Sequence, residues 1–338
     1  MSAHSKKRLA IISLVIVALV ASSFGSFLIL GMQNDDRPAV ERITVGLLPH
    51  EIGGLVYVAS AQGYFDDNRL NVTIMDYSSG LAAVNGMLNG EVDIATAADF
   101  VLVGKALENH SLVAIGNIDK FSSEYIVVRT DLGISNVSDL KGKRIGVPMG
   151  TVAEFNLGRF LELAGIDLDQ VTFVDVPIYL TPAALTNGSV QAVITWQPHF
   201  NAIKSLINDK VIAWQAQNDR LVNYLAIANQ SWALNHPDIV ERFLKALSQA
   251  EKFMIHDPER SKDIVQSRLN YTEEYTEQIW PENQFSLSLD QSLILAMEDQ
   301  ARWMIRNNLT QNEVPNFLHY IYFDGLEAVD PGSVNIIR

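Results

Sequence analysis

The chain has 338 residues, 48% hydrophobic and 19% charged, with no cysteine and a formal net charge of −14. That length suits two compact lobes of roughly 100–200 residues each, and the acidic balance without a basic patch excludes a nucleic-acid partner. The missing thiol removes disulfide frameworks, thiolate metal sites and cysteine nucleophiles together.

At the N-terminus, Lys6, Lys7 and Arg8 precede an uncharged run from Leu9 to Met32 that ends near Asp35, Asp36 and Arg37. A run of about 20 apolar residues spans a bilayer, and the basic flank stays cytoplasmic. Residues 1–32 are therefore expected to be a transmembrane helix that anchors the chain in the cell membrane. Ala21-Ser22-Ser23 offers a signal-peptide cleavage site as the alternative, but Phe24 and Phe27 to Leu30 carry the apolar run past it. In both cases the remainder is extracytoplasmic. The N-x-[ST] sequons at Asn71, Asn109, Asn136, Asn187, Asn229, Asn270 and Asn308 fit an exported, glycosylated chain.

Residues 33–41 are polar, contain Pro38, and are expected to form a linker. A strand–helix rhythm then begins. "RITVGLLP", "LNVTIMDYS", "VDIATAAD" and "SLVAIGNI" have strand patterns, while "GGLVYVASAQGYF", "GLAAVNGMLNG" and "FVLVGKALEN" between them have helical spacing. "EYIVVRTD" is a further strand, and the rhythm restarts with "SNVSDLKG" as a short helix capped by Ser135 or Asn136. "KRIGVP", "VTFVDVP", "VQAVITW" and "VIAWQAQ" are the next strands, separated by helices that start at Thr151, at "TPAALTNG" and at "FNAIKSLIND". "NYLAIANQSWALN" is expected as a return strand, and from Pro237 onward the pattern is helical, including "VPNFLHYIYFDGL". Such alternation implies mainly parallel sheets with helices on both faces. The expected boundaries are 42–130 for the first part of lobe 1, 131–222 for lobe 2 and 223–338 for the rest of lobe 1. Two crossings between lobes make a hinge, and open α/β sheets bind ligands at the carboxyl ends of their strands.

In order along the chain, "LPHEIGGLVYVASAQGYFDDNRLNVTI", "GLAAVNGMLNGEVDIATAADF", "VSDLKGKRIGVPMGTVAEFNLGRFLELAGI", "ALTNGSVQAVITWQPH" and "HPDIVERFLKAL" resemble the ABC-transporter solute-binding proteins of the nitrate/sulfonate/taurine group, which includes thiamine-precursor binders. The resemblance covers residues 43–260 and is looser toward the C-terminus. It implies an α/β fold of the periplasmic-binding-protein type II arrangement, with two lobes joined by a two-strand hinge. It also implies a monomeric receptor that delivers a small molecule to a membrane permease driven by a cytoplasmic ATPase. The ligand contacts implied are the loop after the first strand (Pro49, His50, Gly53, Gly54), the end of "ATAADF" (Thr96, Asp99, Phe100), the helix mouth at Gly150, Thr151 and Val152, and Trp196. Related enzymes of pyrimidine synthesis for thiamine use a histidine and a cysteine-rich iron-binding segment. Without cysteine that chemistry is not expected, and the chain is read as a binding protein.

The residues themselves support two roles at most of these positions. The amides after Gly150 begin a helix, where unpaired N–H groups and positive potential hold an anion; Thr151 could equally cap that helix. Trp196 sits at the carboxyl end of a strand, facing the cleft or packing under a helix. Asp99 could pair with a cationic ligand group or cap the following helix. Tyr57 and Tyr64 fit packing, and the basic Lys141-Gly142-Lys143-Arg144 stretch fits a solvated turn. His50 and His199 have no second ligand in spacing, and neither a catalytic motif nor a metal or cofactor site is expected. The implied solute is a small organic anion or zwitterion such as an alkanesulfonate or taurine, with nitrate as the inorganic case. The anionic end would lie at the helix mouth, Trp196 and Phe100 would cover the body, and Asp99 would face an amine. A ligand-sensing ectodomain and a binder of aromatic heterocycles are the alternatives.

Overall fold

A computed structural model describes residues 39–122, 124–217 and 220–338. The expected anchor over 1–32 and most of the linker lie outside the described residues. Among the described residues, no helix is long and apolar enough to cross a membrane.

The apolar runs become strands β1 (Glu41–Leu47), β2 (Leu70–Asp76), β3 (Ile94–Ala98), β4 (Leu112–Phe121), β5 (Tyr125–Arg129), β6 (Arg144–Val147), β7 (Thr172–Asp175), β8 (Ala192–Thr195), β9 (Val211–Gln215), β10 (Val222–Asn229) and β11 (Asn283–Gln284). They form a six-stranded sheet in the order β11-β4-β10-β3-β1-β2 and a five-stranded sheet in the order β7-β6-β8-β5-β9. The central β3 is buried at every position, whereas the edge strand β2 alternates between covered and exposed residues, as expected for two-sided and one-sided burial.

Both sheets are mixed rather than mainly parallel. β1 pairs in parallel with β2 and β3, and β6 with β7 and β8. β10 runs antiparallel to β3 and β4, and β5 antiparallel to β8 and β9. Apart from the two-residue edge strand β11, which also runs antiparallel to β4, the reversed strands are those that enter a sheet from the other one. β4 ends at the cleft, so β5 starts there and must run away from it, against neighbours whose carboxyl ends face the cleft. β10 returns under the same constraint.

β5 therefore belongs to the second sheet, and the first crossing lies between Phe121 and Tyr125 rather than at 130/131. The return crossing lies between Gln215 and Val222, close to the expected 222/223 boundary. Two helical assignments also change. "QSWALN" is the helix Gln230–Asn235, because Asn229 accepts from the Ser231 and Trp232 amides and turns the chain out of β10. "VPNFLHYIYFDGL" is a 3-10 turn over Phe317–Tyr320, a parallel bridge from Ile321 to Ala114, and the helix Asp324–Val329. Asn136, one of the two expected caps, does cap Val137–Leu140, in a capping box with Asp139.

The large apolar cluster fills the six-stranded lobe, and two smaller clusters cover the faces of the five-stranded sheet. One helix of the second lobe, Val152–Leu163, joins the first cluster through Val152 and Phe155. Phe155 stacks on Phe100 at 5.8 Å and meets Trp303 edge-on at 5.4 Å. Trp303 approaches this helix at Gly158, where an added Cβ would lie 2.1 Å from its ring. Gly158→Ala should therefore destabilise the fold by about 1–3 kcal/mol through overpacking. Urea unfolding monitored by tryptophan fluorescence measures it, and an unchanged midpoint would show that the two lobes do not meet there.

Candidate functional site

Between the two sheets lies a narrow cavity, about 50 Å³ of enclosed space and about 510 Å³ when its open mouth is included. The loop after β1 supplies Leu48, His50 and Ile52, the start of the Gly80–Leu88 helix supplies Leu81, and the segment after β3 supplies Val101. Phe121 and Tyr224 line it from β4 and β10, Thr151 and Val152 from the second lobe after β6, and Trp196 after β8. Glu124 enters from the first crossing. Parallel strands thus deliver their carboxyl ends to one place, as open α/β sheets do.

The expected site residues divide into those that line the cavity and those that stand behind it. His50, Thr151, Val152 and Trp196 line it, from opposite lobes. His50 also spans the lobes, with its Nε2 2.9 Å from the Gln197 carbonyl oxygen. Because that oxygen only accepts, the His50 Nε2 carries the proton. Its Nδ1 is 3.1 Å from Glu51, off the direction of a ring hydrogen bond. Burial pushes the Glu51 carboxyl up, with His50 opposing that shift.

Gly53, Gly54, Thr96, Asp99, Phe100 and Gly150 are not among the lining residues. An added Cβ at Gly53 would meet the Tyr57 ring, and one at Gly54 the Phe285 ring; both glycines allow side chains to pack onto the first helix. Thr96 is fully buried and donates through Oγ1 to the Tyr224 hydroxyl at 2.9 Å, so it positions a lining residue. Phe100 is buried against Phe155 and Trp303 rather than over the cavity.

Asp99 is buried, and its carboxylate accepts from the Phe100 amide at 2.9 Å, Asn223 Nδ2 at 2.8 Å and Gln300 Nε2 at 2.8 Å. Burial raises its pKa while these donors hold it down. Its capping role and its burial leave no oxygen for a ligand amine.

The helix mouth carries an anion of its own. Gly150 sits at φ +72, which favours glycine, and its amide donates to Glu154 Oε2 at 2.7 Å. Thr151 does not cap; its hydroxyl donates to the Pro148 carbonyl at 2.7 Å. Among the described residues, the Thr151, Val152 and Ala153 amides have no backbone partner, as is usual for the first amides of a helix. The Glu154 carboxyl is pushed up by burial, opposed by the Gly150 amide and reinforced by Asp175. Thr151-x-x-Glu154 has the spacing of a capping box, a signal that identifies this carboxylate from sequence.

Glu124 was not expected. It is 5% exposed, its Oε2 accepts from Asn156 Nδ2, and its backbone carbonyl accepts from Ala216 N at 2.9 Å, tying the two crossings together. Burial pushes its pKa up to about 7, with Asn156 lowering it and Asp99 raising it. No lysine, arginine or further carboxylate is among the lining residues. His199 begins the helix His199–Ile207 outside the lining, and burial and His50 lower its pKa. Among the described residues, no group of three or more His, Asp or Glu side chains could hold a metal ion.

The family model described as "NMT1/THI5 like" matches residues 53–261, more than half of the chain. A Brucella abortus chain named as a binding protein is 27% identical over 211 residues, covering 62% of this chain and 65% of its own length. The chain thus spans about 65% of the length of that relative. The taurine-binding periplasmic protein of Escherichia coli is 26% identical over 209 residues, 60% of this chain and 63% of its own. Among solved structures, the alkanesulfonate-binding protein of Xanthomonas axonopodis pv. citri bound to MOPS superposes with a TM-score of 0.71 at 19% identity, covering 89% of this chain and 99% of that one. That likeness shows a shared fold.

Proposed function

Because the chain belongs to the NMT1/THI5-like family, we propose that it is the extracytoplasmic solute-binding component of an ABC importer, acting as a single chain that hands a small organic solute to a permease. The observation that carries this reading is the cavity between the two sheets, lined from both lobes and from the crossing that joins them. A solute that touches both lobes binds the closed form better than the open one and shifts the population toward it. His50 reaching the Gln197 carbonyl ties the two lobes together at the cavity.

The names of the relatives support a small organic anion or zwitterion of the sulfonate or taurine kind. In that reading the first amides of the Val152–Leu163 helix receive the anionic end, and Trp196 with Leu81 and Val101 covers the body. Delivery rather than catalysis suits the lining, which contains no thiol and no nucleophile–base pair.

The test is a thermal-denaturation screen of the full chain with taurine, butane-1-sulfonate, nitrate and 4-amino-2-methylpyrimidine. A ligand at 100 times its Kd stabilises the folded state by about 2.7 kcal/mol, so a binder should raise the melting temperature measurably. Stabilisation that survives Trp196→Ala undiminished would contradict the placement of the solute in this cavity.

A further inference from the structure

The cavity is apolar except at a few points, and those points are unequal. Tyr224 accepts from Thr96, and His50 donates through Nε2 to the Gln197 carbonyl while its buried Nδ1, beside Glu51, makes no hydrogen bond. The Thr151 hydroxyl is committed to the Pro148 carbonyl, and Ser79 caps the Gly80–Leu88 helix by accepting from the Ala82 amide. Glu124 is the one carboxylate among the lining residues. Asn156 occupies one carboxylate oxygen, and the other has no hydrogen-bond partner among the described residues. Its neighbours across the cavity are apolar, among them Phe121, Val101 and Trp196.

A buried carboxylate with one uncommitted oxygen is costly to leave unpaired, and no lysine or arginine lines the cavity to pair with it. A second carboxylate, Glu154, sits at the helix mouth on the second lobe. The electrostatic character of the site is thus acidic, in a chain whose net charge is −14. A bare anion would meet the Glu124 carboxylate in the lining, with Glu154 behind it and no lysine or arginine to compensate. A solute with a donor nitrogen would satisfy the open oxygen, and charge-assisted hydrogen bonds are the stronger kind.

We propose that Glu124 selects the ligand, and that the solute carries a protonated or hydrogen-bond-donating nitrogen that docks on the uncommitted oxygen of this residue. The inference rests on the solute-binding reading above and narrows it: a zwitterion or an amino-substituted ring fits, and a nitrogen-free sulfonate or an inorganic anion does not. The position of Glu124 gives the contact a second consequence. Its backbone carbonyl holds the Ala216 amide of the other crossing, so a solute docked here bears on the hinge itself.

Matched pairs of compounds test this by isothermal titration calorimetry on the full chain. The pairs are taurine with isethionate, 4-aminobutane-1-sulfonate with butane-1-sulfonate, and 4-amino-2-methylpyrimidine with 2-methylpyrimidine. In at least one pair the nitrogen-bearing member is expected to bind about tenfold or more tightly than its partner. Glu124→Gln should bring the two members within about threefold, by weakening the nitrogen-bearing member and not by weakening both; a melting curve confirms that the variant is folded. Equal affinity within every pair that binds, or a preference that persists in Glu124→Gln, would overturn the inference and leave the receptor reading standing. Failure of every compound to bind the wild-type chain would instead overturn the receptor reading, and the inference with it.

Discussion

Asp99→Ala is expected to lower the stability of the folded chain by about 3–5 kcal/mol, because it strands several buried donors at about 1–3 kcal/mol each, partly relaxed. Three donors converge on this carboxylate: the Phe100 amide, Asn223 and Gln300. Removing the acceptor strands all of them where water cannot reach, since Asp99 is 1% exposed, Gln300 3% and Asn223 4%. Each orphaned buried donor costs about 1–3 kcal/mol, so even partial relaxation leaves a large deficit. Asp99→Asn keeps one acceptor oxygen and should cost less. Its affinity for any solute the wild type binds should stay within about threefold, because the side chain does not line the cavity. Urea unfolding and calorimetry measure the two effects separately. A folded Asp99→Asn variant that has lost the solute would return Asp99 to the binding site.

Glu124→Gln is expected to stabilise the chain in a strongly pH-dependent way. The folded-state pKa of Glu124 is pushed up from 4.5 to about 7, chiefly by burial. A raised folded-state pKa means stability that is fully present below 4.5 and lost as pH rises through about 7. Below 4.5 the carboxyl is protonated in both states and costs nothing. Between 4.5 and 7 the unfolded chain ionises first, and above 7 the folded chain must carry a buried charge. The difference corresponds to roughly 3 kcal/mol at 1.36 kcal/mol per pH decade. Glutamine cannot ionise, so the variant should be more stable than wild type by up to about 3 kcal/mol at pH 8, and the gap should close by pH 4. Other buried acids such as Glu51 and Glu154 titrate in both chains and cancel in the comparison. A gap that stays constant from pH 4 to pH 8 would mean that Glu124 is not held in an apolar setting.

These two residues also mark how far the sequence could be read. Asp99 was legible as a charged residue at the start of a helix after a strand, and its capping alternative follows from that position. What sequence could not reveal is that Asn223 and Gln300, more than a hundred positions away, close on the same carboxylate. Glu124 was harder still. It lies in "FSSEYIVV", where the apolar run announces a strand but not the sheet that strand joins. Only the pairing of β5 with β8 and β9 turns this glutamate into a hinge residue. The helix opening at Gly150-Thr151-Val152 was readable from the strand–turn–helix order, because periodicity and turn chemistry are local. The Thr-x-x-Glu spacing flags Glu154 as a carboxylate near this mouth, but the structure places it on the Gly150 amide, one residue before the position a capping box would use. The return strand was over-extended into "QSWALN" because an apolar tryptophan, alanine and leucine fit either period in so short a run.

The most direct test of the account is native mass spectrometry of the full chain with the nitrogen-bearing compounds above, comparing wild type with Leu81→Trp. Leu81 is a half-buried lining residue on the first lobe, and its Cδ2 lies 3.1 Å from the position of a Cβ on Gly150 of the second. A tryptophan there would fill the space between the lobes from the rim of the first lobe's core. The account predicts one bound solute per wild-type chain and none on Leu81→Trp, with the variant still folded by its melting curve. A solute retained at full occupancy by Leu81→Trp would contradict it, because binding would then lie outside the cavity between the sheets.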